Sequence, residues 1–114
     1  MFDAPLEVTA VPGERDGTTI LRLAGPLTLR NLFGFQNEFR SLTPPILILD
    51  LSEVQYIDSA GLGLLMNGYV SAERAGRTFV LVGVTPRVYT LLELTRVHTV
   101  LKIHPTVAEA EAAL

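Results

Sequence analysis

Residues 46–65, with the sequence ILILDLSEVQYIDSAGLGLL, decide the fold. Residues 46–49 form an unbroken apolar run without polar alternation, which predicts a central strand covered on both faces and parallel to a neighbour. Residues 50–58 form a short connection. Apolar and small residues then recur at helical spacing, which predicts a helix from about residue 59 to residue 75. A buried strand, a loop and a helix N-terminus therefore follow one another here.

The flanking sequence extends this strand–helix unit in both directions. Turn residues, helix caps and apolar periodicity predict, in chain order, a hairpin over 6–24, a helix from 29 to the prolines at 44–45, a strand over 79–84, a helix after Thr85-Pro86, a strand over 100–103 and a C-terminal helix opened by Thr106-x-x-Glu109. The predicted fold is α/β, one domain over residues 1–114, in the order β-β-α-β-α-β-α-β-α. Its mixed, mostly parallel sheet has about five strands and is flanked by about four helices.

The first predicted helix carries three phenylalanines. Thr28 can cap it. The residues that follow helical spacing, with one polar interruption, are Leu29, Leu32, Phe33, Gln36 and Phe39. Phe33, Phe35 and Phe39 cannot share one face of a single helix, so we expect Phe35 to be the exposed one. An exposed phenylalanine would indicate a contact surface, and packing in the core is the default alternative.

Composition excludes several classes of protein. The net charge is −3 and the basic residues are scattered, which disfavours a nucleic-acid partner. The absence of cysteine excludes disulfides and thiolate metal sites and suits a cytoplasmic location. The longest apolar runs are far shorter than the roughly 20 residues that span a bilayer, and no signal-peptide pattern is present, so we expect no membrane insertion.

The candidate site surrounds Ser59, where a loop meets a helix N-terminus. Such a terminus presents unpaired N–H groups and a partial positive charge, which favour a phosphate. Phosphorylation of Ser59 would add about −1.5 to −2 charges beside Asp58 and so switch an interface. The alternative from residue types alone is that Asp58 and Ser59 are ordinary helix caps and that Gly61 and Gly63 only permit close packing.

Catalytic and metal readings are weaker. Ser59-Ala60-Gly61 matches the end of a G-x-S-x-G nucleophile elbow, but residue 57 is isoleucine where the strained turn needs glycine. His98 and His104 lack cysteine or suitably spaced acidic partners for a metal. We therefore expect a non-enzymatic protein without catalytic residues, metal or cofactor.

The motif Leu47-Ile48-Leu49-Asp50-Leu51-Ser52-x-Val54-x-Tyr56-Ile57-Asp58-Ser59-Ala60-Gly61-Leu62-Gly63-Leu64-Leu65 resembles the signature of the STAS family. This family comprises the sulfate-transporter and anti-sigma-factor-antagonist domains, and the resemblance extends over nearly the whole chain. The stand-alone length is most similar to bacterial anti-sigma factor antagonists.

The resemblance implies a regulator of transcription that works by partner switching. Its partner would be an anti-sigma factor with a histidine-kinase-like ATPase fold, which binds the unphosphorylated antagonist and phosphorylates Ser59. Phosphorylation would end that binding, and a phosphatase acting on phospho-Ser59 would restore it. The implied partner-binding residues are Asp58, Ser59, Ala60, Gly61, Leu62, Gly63 and Met66.

The chain departs from the family pattern at Gly25-Pro26-Leu27-Thr28, where two acidic residues are often present. A partner contact made by those acids is missing here. The alternative function within the family is a STAS scaffold or an accessory subunit of a signalling or membrane transport complex, in which Ser59 is never phosphorylated. Nucleotide binding, proposed for some members, has no phosphate loop to support it in this sequence.

Overall fold

A computed structural model describes residues 5–114 of the protein, and within them five strands form one mixed sheet. The strands lie side by side in chain order: β1 Glu7–Pro12, β2 Thr18–Ala24, β3 Ile46–Glu53, β4 Thr78–Val82 and β5 Lys102–His104. β1 is antiparallel to β2, and every other neighbouring pair is parallel. The predicted fold class and mostly parallel sheet are confirmed.

Five α-helices and one turn of 3₁₀-helix connect and follow these strands within residues 5–114. The α-helices are α1 Leu29–Leu32, α2 Gln36–Ser41, α3 Ser59–Ala75, α4 Pro86–Leu94 and α5 Val107–Ala112, and the 3₁₀-helix is Val97–Thr99. The predicted order is confirmed with one refinement, since the first predicted helix is two short helices.

The structure corrects the expectation for Phe35. A turn over residues 33–35 separates α1 from α2 at Gly34, and glycine destabilises helix interiors. Phe35 follows the buried Leu32 by three residues and precedes the buried Phe39 by four, so it lies on their face at 4% exposure, whereas Phe33 is 77% exposed. The Phe35 ring packs on Phe39, and Phe39 meets Phe79 edge to face. Phe33, not Phe35, is the exposed phenylalanine.

The sheet order explains which helices share a face. Each parallel crossover moves one strand in the same direction, so right-handed connections place all their helices on one side. The main core accordingly joins that face to α1–α4, with Leu49 and Leu65 fully buried. α5 covers the other face through Ala110, which packs with Ile48 and Val80.

Most predicted element ends are confirmed, and two strands shift by two residues. Gly76 ends α3 in the left-handed conformation, and Thr85 and Thr106 accept cap bonds from the amides three residues on. β4 ends at Val82 because Gly83 also has a positive φ of 66°. β5 begins at Lys102 because the preceding residues form the 3₁₀-helix.

Candidate functional site

Ser59 is the first residue of α3 and follows the carboxyl end of β3. Its side chain is exposed, and its hydroxyl makes no hydrogen bond to any other residue in 5–114. A visiting active site can therefore reach the oxygen without unfolding the loop. This is the arrangement that the candidate site requires.

Asp58 caps two helices with one carboxylate. Its Oδ1 accepts a hydrogen bond from the Gly61 amide at 2.9 Å, which caps α3. Its Oδ2 accepts one from the Leu29 amide at 3.0 Å, at the start of α1. Thr28 occupies the N-cap position of α1, as predicted, but its side chain makes no cap bond. Asp58, 29 residues further along the chain, caps α1 instead. Asp58 is itself partly buried.

The backbone at the start of α3 can accommodate an anion. The Ser59 and Ala60 amides have no acceptor among the described residues, and they point along the axis of a helix of 17 residues. These donors and the helix dipole favour negative charge, whereas the adjacent Asp58 carboxylate opposes it. A phosphate on Ser59 would therefore be attracted by the helix N-terminus and repelled by Asp58. It would also change the local electrostatic potential strongly.

Gly61 and Gly63 play different parts. A Cβ on Gly61 would overlap the Leu27 carbonyl oxygen, because the first turn of α3 lies against the loop before α1 at this buried glycine. Leu27 and Ile57 also form a parallel bridge, so the loops before α1 and α3 are joined by backbone bonds. A Cβ on Gly63 would meet nothing within 4 Å. The packing interpretation therefore holds for Gly61 and not for Gly63.

The remaining predicted partner-binding residues lie on the first two turns of α3. Ala60, Leu62 and Met66 are half-buried and pack against the main core while keeping part of their surface open. Leu62 and Met66 are four residues apart and share one face of the helix. Apolar surface thus adjoins the exposed hydroxyl.

Two large apolar side chains on the first short helix were not predicted to belong to this region. Leu29 is 58% exposed and Phe33 is 77% exposed. The signal that could have found Phe33 is the helical spacing of Leu32, Phe35 and Phe39, which places those three on the buried face and leaves Phe33 outside it.

A groove lies at the carboxyl ends of β2 and β3, beside α4. Its volume is about 830 Å³, and its lining includes Gly25, Tyr56, Arg87 and Leu91. The walls of the groove are mainly apolar.

The two histidines lie on different elements of the fold. His98 lies in the 3₁₀-helix, with Nδ1 3.3 Å from the Leu92 carbonyl oxygen, and its ring meets Tyr89 edge to face. His104 belongs to β5. Across residues 5–114, no three side chains of metal-ligand type cluster together. Over the same residues, every helix is too short or too polar to cross a membrane.

Comparison with known proteins places this fold and loop in a family. The STAS domain model matches residues 10–110. A Thermotoga maritima protein provisionally assigned as an anti-sigma factor antagonist is 32% identical over 99 residues, which cover 83% of this chain and 88% of that protein. The anti-sigma-B factor antagonist of Listeria monocytogenes is 34% identical over 58 residues, or 51% of each chain. The chain spans about half the length of the first curated relatives it matches.

A solved structure extends the likeness to the whole fold. The crystal structure of an anti-sigma factor antagonist from Thermotoga maritima, also provisionally assigned, superposes with a TM-score of 0.84 at 29% identity. The superposition covers 93% of this chain and 92% of that one. Because the family model spans both the parallel sheet and the loop before α3, the chain belongs to the STAS domain family.

Proposed function

We propose that this protein is an anti-sigma factor antagonist that is switched off by phosphorylation of Ser59. The observation that carries the proposal is the exposed Ser59 hydroxyl at the start of α3, next to a carboxylate that is already engaged by two amides. The names of the relatives support the class of function. The partner is an anti-sigma factor with a histidine-kinase-like ATPase fold, and the protein itself serves as binding surface and phosphate acceptor rather than as an enzyme.

The chemical step takes place in the partner's active site. Ser59 Oγ attacks the γ-phosphorus of ATP, an O–P bond forms, and the bond from that phosphorus to the β–γ bridging oxygen breaks to release ADP. The hydroxyl proton passes to a base in the partner's active site. The partner also supplies Mg²⁺. A phosphatase later hydrolyses the phosphoserine and restores the free hydroxyl.

Phosphorylation ends binding through charge and desolvation. The phosphate brings about −1.5 to −2 charges to a surface that otherwise presents Leu62 and Met66 beside the Asp58 carboxylate. A partner surface that fits the apolar form would have to strip water from that anion, which is costly when no opposite charge receives it. Helix α3 remains folded, because its N-terminus tolerates negative charge.

The test is to incubate the protein with Mg·ATP and a histidine-kinase-like ATPase encoded in the same genome, and to measure intact mass. We expect a gain of one phosphate, lost in Ser59→Ala and retained in Ser59→Thr, which keeps a hydroxyl at the same position. In calorimetric titrations, Ser59→Asp should weaken binding to the same partner while Ser59→Ala still binds. No mass gain together with unchanged binding of Ser59→Asp would overturn the switch and favour an assembly role without phosphorylation.

A further inference from the structure

The exposed apolar side chains of α1 are unusual for so short a helix. Leu29 is 58% exposed and Phe33 is 77% exposed, while Leu32 between them is buried at 2%. Phe33 has α-helical backbone angles, φ −55° and ψ −41°, so it continues the helix by one residue. Leu29 and Phe33 are therefore four residues apart on one face, and that face is open in the described structure.

The position of this face relative to Ser59 is fixed by the backbone. Asp58, the residue before Ser59, holds the Leu29 amide at 3.0 Å. The Asn31 side chain donates to the Pro26 carbonyl, and the Asp58 amide donates to the Leu27 carbonyl. α1 also packs against α3. Leu29 and Phe33 are thus presented at a set place beside the candidate phosphorylation site.

We propose that Leu29 and Phe33 are a second part of the docking surface, and that the anti-sigma factor which phosphorylates Ser59 covers Phe33 with an apolar pocket. This inference rests on the proposed function and goes beyond it by naming the contact on α1. No sequence motif of the Ser59 loop contains these two residues.

The size of a stable interface supports this occupant. A standard protein interface buries about 800 Å² on each partner, which corresponds to a flat patch about 16 Å in radius. Leu29 is bonded to the residue before Ser59, and Phe33 lies one turn further, about 6 Å along the helix axis. A partner centred on Ser59 therefore reaches Phe33. A large exposed aromatic side chain at that distance is the kind of residue that anchors interfaces.

Apolar side chains accompany Asp58 on the two helices that it caps. Both oxygens of Asp58 are engaged by amides, and these helices carry the apolar side chains Leu29, Leu62 and Met66 together with the exposed cation Arg30. The unmodified surface thus offers a partner apolar area. Phosphate on Ser59 would then place an anion at the edge of that area and penalise the same contact.

The experiment measures partner binding by calorimetry, with a non-hydrolysable ATP analogue present, for Phe33→Ala, Leu29→Ala and the matched control Val100→Ala. Val100 is also exposed, at 46%, but precedes β5 at the amino end of the sheet, whereas Ser59 follows the carboxyl end of β3. We expect Phe33→Ala to weaken binding about 10- to 100-fold, Phe33→Leu to restore most of it, and Val100→Ala to leave it unchanged. In phosphorylation assays Phe33→Ala should raise KM and leave kcat, because Phe33 touches no reacting atom.

The outcomes separate this inference from the proposed function. If Ser59→Asp abolishes binding while Phe33→Ala binds as well as Val100→Ala, the α1 contact is wrong and the phosphorylation switch stands. If neither Ser59→Asp nor Phe33→Ala changes binding, the proposed function and the inference both fall. Equal thermal midpoints for wild type and Phe33→Ala establish that the variant is folded, as expected for a side chain this exposed.

Discussion

At each end of the sheet, one carboxylate accepts two backbone amides and joins two parts of the chain, but the two carboxylates have different surroundings. At the carboxyl end of the sheet, Asp58 accepts the Gly61 and Leu29 amides and joins α3 to α1. At the amino end, Glu111 on α5 accepts the Glu14 amide at 2.9 Å and the Arg15 amide at 3.1 Å with one oxygen, and so joins α5 to the β1–β2 turn.

The difference lies in what each carboxylate holds. Asp58 uses both oxygens, is partly buried, and lies directly under an exposed hydroxyl that the fold leaves unused. Glu111, which is also partly buried, uses one oxygen for both amides, and its contact is assisted by the Arg15 guanidinium, which donates to the Leu114 carbonyl at 2.6 Å. Glu111 fastens the helix that covers one face, whereas Asp58 fixes the relative position of two helices that we propose face a partner. The two carboxylates use the same capping chemistry, and they differ in the residues that lie beside them.

Gly61→Ala, which should push α3 away from the loop before α1, is expected to have the largest effect on stability. The added methyl group overlaps the Leu27 carbonyl oxygen, so α3 must move away from the loop before α1. We expect the free energy of unfolding to fall by about 3 kcal/mol, measured by urea denaturation. The matched control Gly63→Ala meets open space and should gain about 0.5–1 kcal/mol from helix propensity. Equal effects of the two substitutions would show that the loops are not in contact at Gly61.

Removing the carboxylate itself is expected to cost somewhat less. Asp58→Ala leaves the Gly61 and Leu29 amides without their acceptor, and we expect a loss of about 2–3 kcal/mol in the free energy of unfolding. Asp58→Asn should lose about half as much, because one amide oxygen still accepts while the NH₂ group cannot. Because the Asn oxygen can face either amide, hydrogen exchange at both the Gly61 and the Leu29 amides gives the local readout. Slow exchange at both amides in Asp58→Asn would mean that the second hydrogen bond contributes nothing.

The sequence was sufficient wherever the signal is local. The apolar run at residues 46–49 correctly predicted a buried parallel strand, since Ile48 and Leu49 are fully buried. The caps at Thr85 and Thr106 involve amides three residues away and were likewise predictable. The exposed position of Ser59 follows from its place at a helix N-terminus.

The remainder depends on contacts between distant residues. The bond from Asp58 to Leu29 spans 29 residues and that from Glu111 to Glu14 spans 97, so no window of sequence contains either. The environments predicted for Phe33 and Phe35 were wrong because two apolar stripes overlap on this segment: helical spacing relates Leu29 to Phe33, but it equally relates Leu32 to Phe35 and Phe39. Packing against the rest of the core buries the second stripe, and that packing is not visible in the local sequence.

The smallest effect is expected at the other end of the molecule, for Glu111→Ala. The two turn amides that Glu111 serves lie at the surface and can bond to water instead, and α5 keeps its apolar contact through the buried Ala110. We therefore expect a loss of less than about 1 kcal/mol in the free energy of unfolding. Glu111→Gln, which removes the charge and keeps an acceptor oxygen at the same position, is the control for general electrostatics. If Glu111→Ala lowers the free energy of unfolding as much as Asp58→Ala does, the two carboxylates contribute equally to stability. The proposed difference between them, with Glu111 fastening α5 and Asp58 positioning two helices, would then be wrong.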